Sequence, residues 1–80
     1  MTLRILAFGI AKEILGSTST LVELHAGATV KELRILLEKQ YPRLQKLASF
    51  MIAVNNEYAS SDHVLQPGNE IAIIPPVSGG

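Results

Sequence analysis

Apolar and polar positions along this chain fall into short blocks, each with a recognisable period. From Leu3 to Phe8, Leu3, Ile5 and Ala7 share one face while Arg4, Leu6 and Phe8 share the other, which is the period of a strand. Gly9 closes it. Ala11 to Leu15 predicts one or two helical turns stopped by Gly16. After the polar turn Ser17 to Ser19, Thr20 to Leu24 predicts a second strand, antiparallel to the first. The clearest helix signal follows. Thr29 and Glu32 form a T-x-x-E capping box, in which each side chain satisfies a backbone N–H at the helix start. Val30, Leu33, Leu36 and Leu37 recur at helical spacing, with Lys31, Arg34, Glu38 and Lys39 mostly on the other side. Pro42 disfavours helical geometry at Tyr41, so the helix is expected to end near Gln40.

Leu44 and Leu47 predict a further short helical piece or an ordered loop. Phe50 to Val54 predicts a third strand, Asn55-Asn56 a tight turn, and Glu57 to Ala59 a short return strand. Pro67-Gly68 makes another turn, and Glu70 to Ile74 the last strand. The order is β-β-α-β-(β)-β. The first and last strands carry apolar residues on both faces, which suits central strands lying side by side in parallel. The expected fold is α+β: a mixed sheet of four to five strands with one main helix across one face, the β-grasp or ubiquitin-like arrangement. Residues 1–74 would form this domain and 75–80 an extended C-terminal tail.

Composition narrows the possible functions. Eighty residues make one small domain without cysteine, so no disulfide supports it, and its 48% hydrophobic content must do so. The two histidines are too far apart for a zinc motif, and no metal site is expected. Seven basic and seven acidic side chains cancel, leaving no strong field for nucleic acid or anionic lipid. Neither a signal-peptide pattern nor a membrane-spanning run of ~20 apolar residues is seen. The expectation is a cytoplasmic protein that meets other proteins.

The chain changes character after Ile74. Pro75 and Pro76 fix two φ angles and cannot donate to a sheet ladder, so they end the strand and project a stiff arm. Val77 and Ser78 are small, and Gly79 and Gly80 have no side chain. Six extended residues reach at most ~20 Å. Such a tip can enter a channel too narrow for any Cβ and place its terminal carbonyl beside another protein's catalytic groups. A carboxylate is a poor electrophile, so it must first be activated, for example as an acyl-adenylate, and then converted to a thiocarboxylate or joined to an amine. The arm would be a tethered group carrier, as lipoamide is. A bare Gly-Gly end is commonplace; after a Pro-Pro arm on this fold it points to a carrier.

From Asn69 onward, N-E-I-A-I-I-P-P-V-S-G-G resembles the end of the small subunit of molybdopterin synthase, whose family pattern is G-D-E-V-A-F-x-P-P-V-[ST]-G-G. The resemblance reaches back through Val54-Asn55, Asp62-His63, Leu65 and Gly68, and loosely over the whole chain. Asn69 departs from the usual Asp, though both suit a turn. The resemblance implies a sulfur carrier. An E1-like adenylating enzyme would use ATP to adenylate Gly80, which is then thiocarboxylated. No cofactor would be bound permanently. The tail, Pro75, Pro76, Val77, Ser78 and Gly79, would insert into the large subunit of molybdopterin synthase, in a heterotetramer, to deliver sulfur to cyclic pyranopterin monophosphate. The lysines and arginines of that reaction would belong to the large subunit. Phe8, Tyr58 and Ile74 would form the patch that docks it. The thiamine-pathway sulfur carrier is a relative that usually lacks the Pro-Pro pair. Other readings are a protein modifier conjugated through Gly80 and a plain binding module.

Elsewhere the residues read as structural. His25 and His63 are expected at the surface, and Asp62 in a local turn hydrogen bond. Ser17-Thr18-Ser19-Thr20 lacks the glycines and lysine of a phosphate cradle. Nothing predicts a catalytic site within the chain itself.

Overall fold

The computed structural model describes residues 1–47 and 50–75. The strands are β1 (Thr2–Ala7), β2 (Ser19–Glu23), β3 (Met51–Val54), β4 (Glu57–Tyr58) and β5 (Glu70–Ile74), with helices α1 (Ile10–Leu15) and α2 (Val30–Gln40) and a 3-10 turn, Pro42–Lys46. They form a five-stranded sheet in the order β2-β1-β5-β3-β4. The two central strands, β1 and β5, are parallel, with Ile5 opposite Ile71 and Ala7 opposite Ile73. The other pairings are antiparallel. This is the expected β-grasp arrangement, with the first and last strands together at the centre.

Element ends move by a residue for local reasons. β1 runs Thr2–Ala7 instead of Leu3–Phe8, because Thr2 pairs with Glu23 while Phe8 passes into the turn at Gly9. The same register, ending at Leu6 opposite Ser19, shifts β2 from Thr20–Leu24 to Ser19–Glu23. α1 begins at Ile10, one residue before the expected Ala11, and ends where Gly16 turns left-handed at φ 80°. Phe50 precedes β3, packed in the core at 1% exposure under the Arg34 guanidinium, which lies 3.9 Å from its ring centroid. β4 stops at Tyr58, short of the expected Ala59. Its turn carries Asn55 and Asn56 at φ 51° and 69°, the left-handed geometry that asparagine tolerates.

α2 spans the expected residues, and its start is tied down at each of the first three N–H groups. Val30 N–H donates to His63 O at 3.0 Å and Lys31 N–H to Ser61 O at 2.8 Å. Glu32 N–H donates to Thr29 Oγ1 at 3.3 Å, and the Glu32 carboxylate accepts in return from Thr29 N–H. The loop before β5 thus supplies what the capping box leaves undone. Val30, Leu33 and Leu37 of α2 enter one core with Leu3, Ile5, Val22, Ile52, Ile71 and Ile73 of the sheet and Leu44 of the 3-10 turn. Among the described residues no polar or charged side chain is buried there.

Candidate functional site: the open sheet face and the root of the tail

Among the described residues, only one face of the sheet is covered. Leu3, Ile5 and Ala7 of β1 and Ile71 and Ile73 of β5 enter the core, so strand alternation turns Leu6, Ala72 and Ile74 to the other face. Phe8, just past β1, continues that series. The sequence is apolar on both faces of these strands, yet among the described residues no second layer packs on the other face. The register explains its shape. Leu6 lies opposite Ala72, Ala72 opposite Ala53, and Ala53 opposite Tyr58. Two methyl groups therefore sit between larger side chains in one row across the sheet. Beside this row, Met51 lies opposite Ile74. The result is a trough of about 320 Å³ floored by Ala53 and Ala72 and flanked by Leu6, Phe8, Ile74 and Tyr58. Asn56 and Glu70 add polar lining. Phe8 is 50% exposed and Tyr58 66%. Apolar side chains this open and this contiguous mark a contact surface.

The three docking residues expected from the sequence, Phe8, Tyr58 and Ile74, thus line a single trough, although they come from opposite ends of the chain and from a two-residue strand. Sequence reasoning missed Leu6, Ala53 and Ala72. A signal for Leu6 was present in the second apolar set of LRILAF. The alanines carried none, because their role depends on cross-strand register.

β5 ends at Ile74, as the prolines require, and the tail starts from the edge of the trough. Pro75 lies against Gly9: a Cβ on Gly9 would stand 3.3 Å from Pro75 Cγ. Gly9 also holds φ 55°, ψ −131°, a backbone geometry open to glycine. Pro76, Val77, Ser78, Gly79 and Gly80, the rest of the expected carrier tail, lie outside the described residues.

His25, Glu32 and Asp62 are exposed, and their partners are local. The His25 ring faces two acceptors: Nδ1 lies 2.9 Å from Ala26 O, and Nε2 meets the Glu32 carboxylate. A ring that donates from both nitrogens is an imidazolium. The Glu32 hydrogen bond, the Ala26 carbonyl and the Glu32 charge accordingly raise the His25 pKa, while the His25 bond lowers that of Glu32. Asp62 accepts from Ser60 Oγ at 2.8 Å, the expected local turn bond, and its pKa is lowered chiefly by that bond. Asn69 Oδ1 accepts from Gln66 N–H at 2.7 Å, so it holds the turn at which the resemblance departs from Asp. Among the described residues no three His, Asp or Glu side chains converge as a metal site, and no helix is long and apolar enough to cross a membrane.

Comparison with known proteins agrees with this geometry. The ThiS family model matches residues 5–80. A molybdopterin synthase sulfur carrier subunit of Caenorhabditis briggsae is 37% identical over 83 residues, covering 100% of this chain and 99% of that protein. SAMP1 of Haloferax volcanii superposes with a TM-score of 0.86 at 26% identity, covering 100% of both chains. A chain from the complex of subunits 1 and 2 of the molybdopterin-converting factor of Helicobacter pylori superposes with a TM-score of 0.72 at 26% identity, again over 100% of both chains.

Proposed function

The chain belongs to the ThiS family, and from that premise we propose that it is the sulfur carrier subunit of a molybdopterin synthase. The observation that carries this reading is the placement of Ile74 and Pro75: the chain leaves the sheet for its Gly-Gly terminus at the edge of an exposed apolar trough. A protein that takes up the terminus meets the trough beside it. Relatives that bear the same functional name and match over the full length support the reading, as does a similar fold seated against a second subunit.

On this reading a cytoplasmic E1-like enzyme binds the chain and ATP. An oxygen of the Gly80 carboxylate attacks the α-phosphorus, and pyrophosphate leaves. A sulfur nucleophile at the oxidation level of hydrosulfide then displaces AMP: a C–S bond forms, the acyl C–O bond breaks, and a thiocarboxylate remains. The trough, with Phe8, Ile74 and Tyr58 on its sides, docks the large subunit. Pro75 to Gly79 carry the thiocarboxylate of Gly80 into it, where the sulfur passes to cyclic pyranopterin monophosphate. The chain supplies the docking face and the acyl group, and its partners supply the acids, bases and nucleotide site.

The test is reconstitution with the large subunit, an E1-like activating enzyme, ATP and a sulfide source. The intact mass of the small chain is expected to show one oxygen-for-sulfur exchange, and molybdopterin to form. Deletion of Gly80 is expected to abolish both and leave the melting temperature unchanged. Molybdopterin formation by the deletion variant would overturn the reading. Lysine-linked conjugates of unchanged yield in the absence of the large subunit would favour the modifier alternative.

A further inference from the structure

We propose that Gly9 is a positioning residue for the carrier tail: its missing side chain sets the direction in which the tail leaves the sheet. The inference rests on the carrier reading above, and it concerns a residue outside both the tail and the docking face.

The register brings Gly9 to the tail. β1 and β5 run parallel with Ala7 opposite Ile73. Continuing that pairing brings Phe8 beside Ile74 and Gly9 beside Pro75. Pro75 has no N–H to donate to the ladder, so contact carries more of the work of fixing its course. The Pro75 ring lies over the bare backbone of Gly9, where an added Cβ would stand 3.3 Å from Cγ. That is tighter than most Cβ contacts, so the Pro75 ring must give by a few tenths of an ångström. Gly9 itself is held by the α1 hydrogen bond from Lys12 N–H to Gly9 O at 3.1 Å, so the shift falls on the root of the tail. A methyl group there displaces the ring and so shifts the point from which the rest of the tail departs. Since about 1 Å of misplacement at a reacting centre can cost about 100-fold in rate, the tail need not be released to lose its function.

Gly16 provides the control. It also holds a positive φ, 80°, but a Cβ there meets nothing within 4 Å. Gly16→Ala therefore carries left-handed strain without pressing on the tail, whereas Gly9, at φ 55° and ψ −131°, is the more demanding backbone, so Gly9→Ala adds strain of its own to the contact with Pro75. In the reconstituted system, Gly9→Ala is expected to lower the rate of sulfur transfer by about tenfold or more, with a smaller change in affinity for the large subunit. Gly16→Ala is expected to lower the melting temperature and keep the transfer rate. With Pro75→Ala alone as the reference, which lacks Cγ, the fold-loss caused by Gly9→Ala is expected to be smaller than in the wild type. In the free chain, the nuclear Overhauser contact between the Gly9 α-protons and the Pro75 ring is expected to be present in the wild type and weakened in Gly9→Ala.

Transfer by Gly9→Ala at the wild-type rate, an equal loss in Gly16→Ala, or the same fold-loss from Gly9→Ala in the Pro75→Ala background as in the wild type would each overturn the positioning role. A wild-type chain that is never thiocarboxylated and transfers no sulfur would instead overturn the carrier reading. The Overhauser measurement tests the Gly9–Pro75 contact in either case.

Discussion

At the residue scale, the sharpest electrostatic feature lies away from the trough. His25 is an exposed imidazole whose two nitrogens both face acceptors, so the folded chain favours its protonated form. A group whose pKa is raised on folding stabilises most below its unfolded value, near 6.5, and loses that contribution as pH rises through the folded value. Glu32, lowered from 4.5, works the opposite way: its contribution is present above that value and is lost as pH falls through the folded one. Both partners are charged between the two, so the contact is strongest from about pH 5 to 6. The effect is small because both side chains are solvated. In a proton NMR titration the His25 midpoint is expected above the usual imidazole range, and Glu32→Gln is expected to bring it back. An unchanged midpoint in Glu32→Gln would show that the carboxylate does not hold the ring. Nothing in the sequence marks this pair: the residues are seven apart, on a loop and a helix, and meet only because the turn before α2 folds back.

Individual elements differ in how legible they were. α2 announced both ends, since Thr29-x-x-Glu32 and Pro42 act through neighbours on the chain. Its cap is therefore a testable part. Thr29→Ala removes the acceptor for Glu32 N–H and is expected to cost about 1 kcal/mol in urea unfolding, whereas Thr29→Ser keeps most of the stability. Equal loss in both variants would place the effect on the threonine methyl group. β4 was legible only through its turn, where Asn55-Asn56 supplied the positive φ angles. Strand boundaries were displaced by one residue because register, which is not a local property, decides them. The trough shows the same division. Phe8, Tyr58 and Ile74 were readable as apolar residues near the tail, but Ala53 and Ala72 become a floor only when β3 and β5 pair in one register.

At the scale of the whole molecule, the defining feature is that the first and last strands form the middle of the sheet. β1 and β5 lie side by side although almost the entire chain separates them, so the loop closed between them is long and its entropy must be offset by the core they share. Ile5, Ile71 and Ile73 are fully buried at that seam. The trough depends on the same seam: Phe8 follows β1, Ile74 belongs to β5, and Tyr58 reaches the trough from β4 through Ala53. In a urea titration, loss of circular dichroism and loss of binding to the large subunit are expected to follow one curve. Binding that outlasts the dichroism signal would mean that a short linear segment suffices for recognition.

The central parallel pairing has a consequence for quality control. No partial chain can assemble the surface beside the acyl terminus, because that surface is built from both extremities at once. On the proposed carrier reading, an activating enzyme that gripped it would spend ATP only on copies that had completed folding, and a damaged or half-synthesised copy would go uncharged without any separate inspection step.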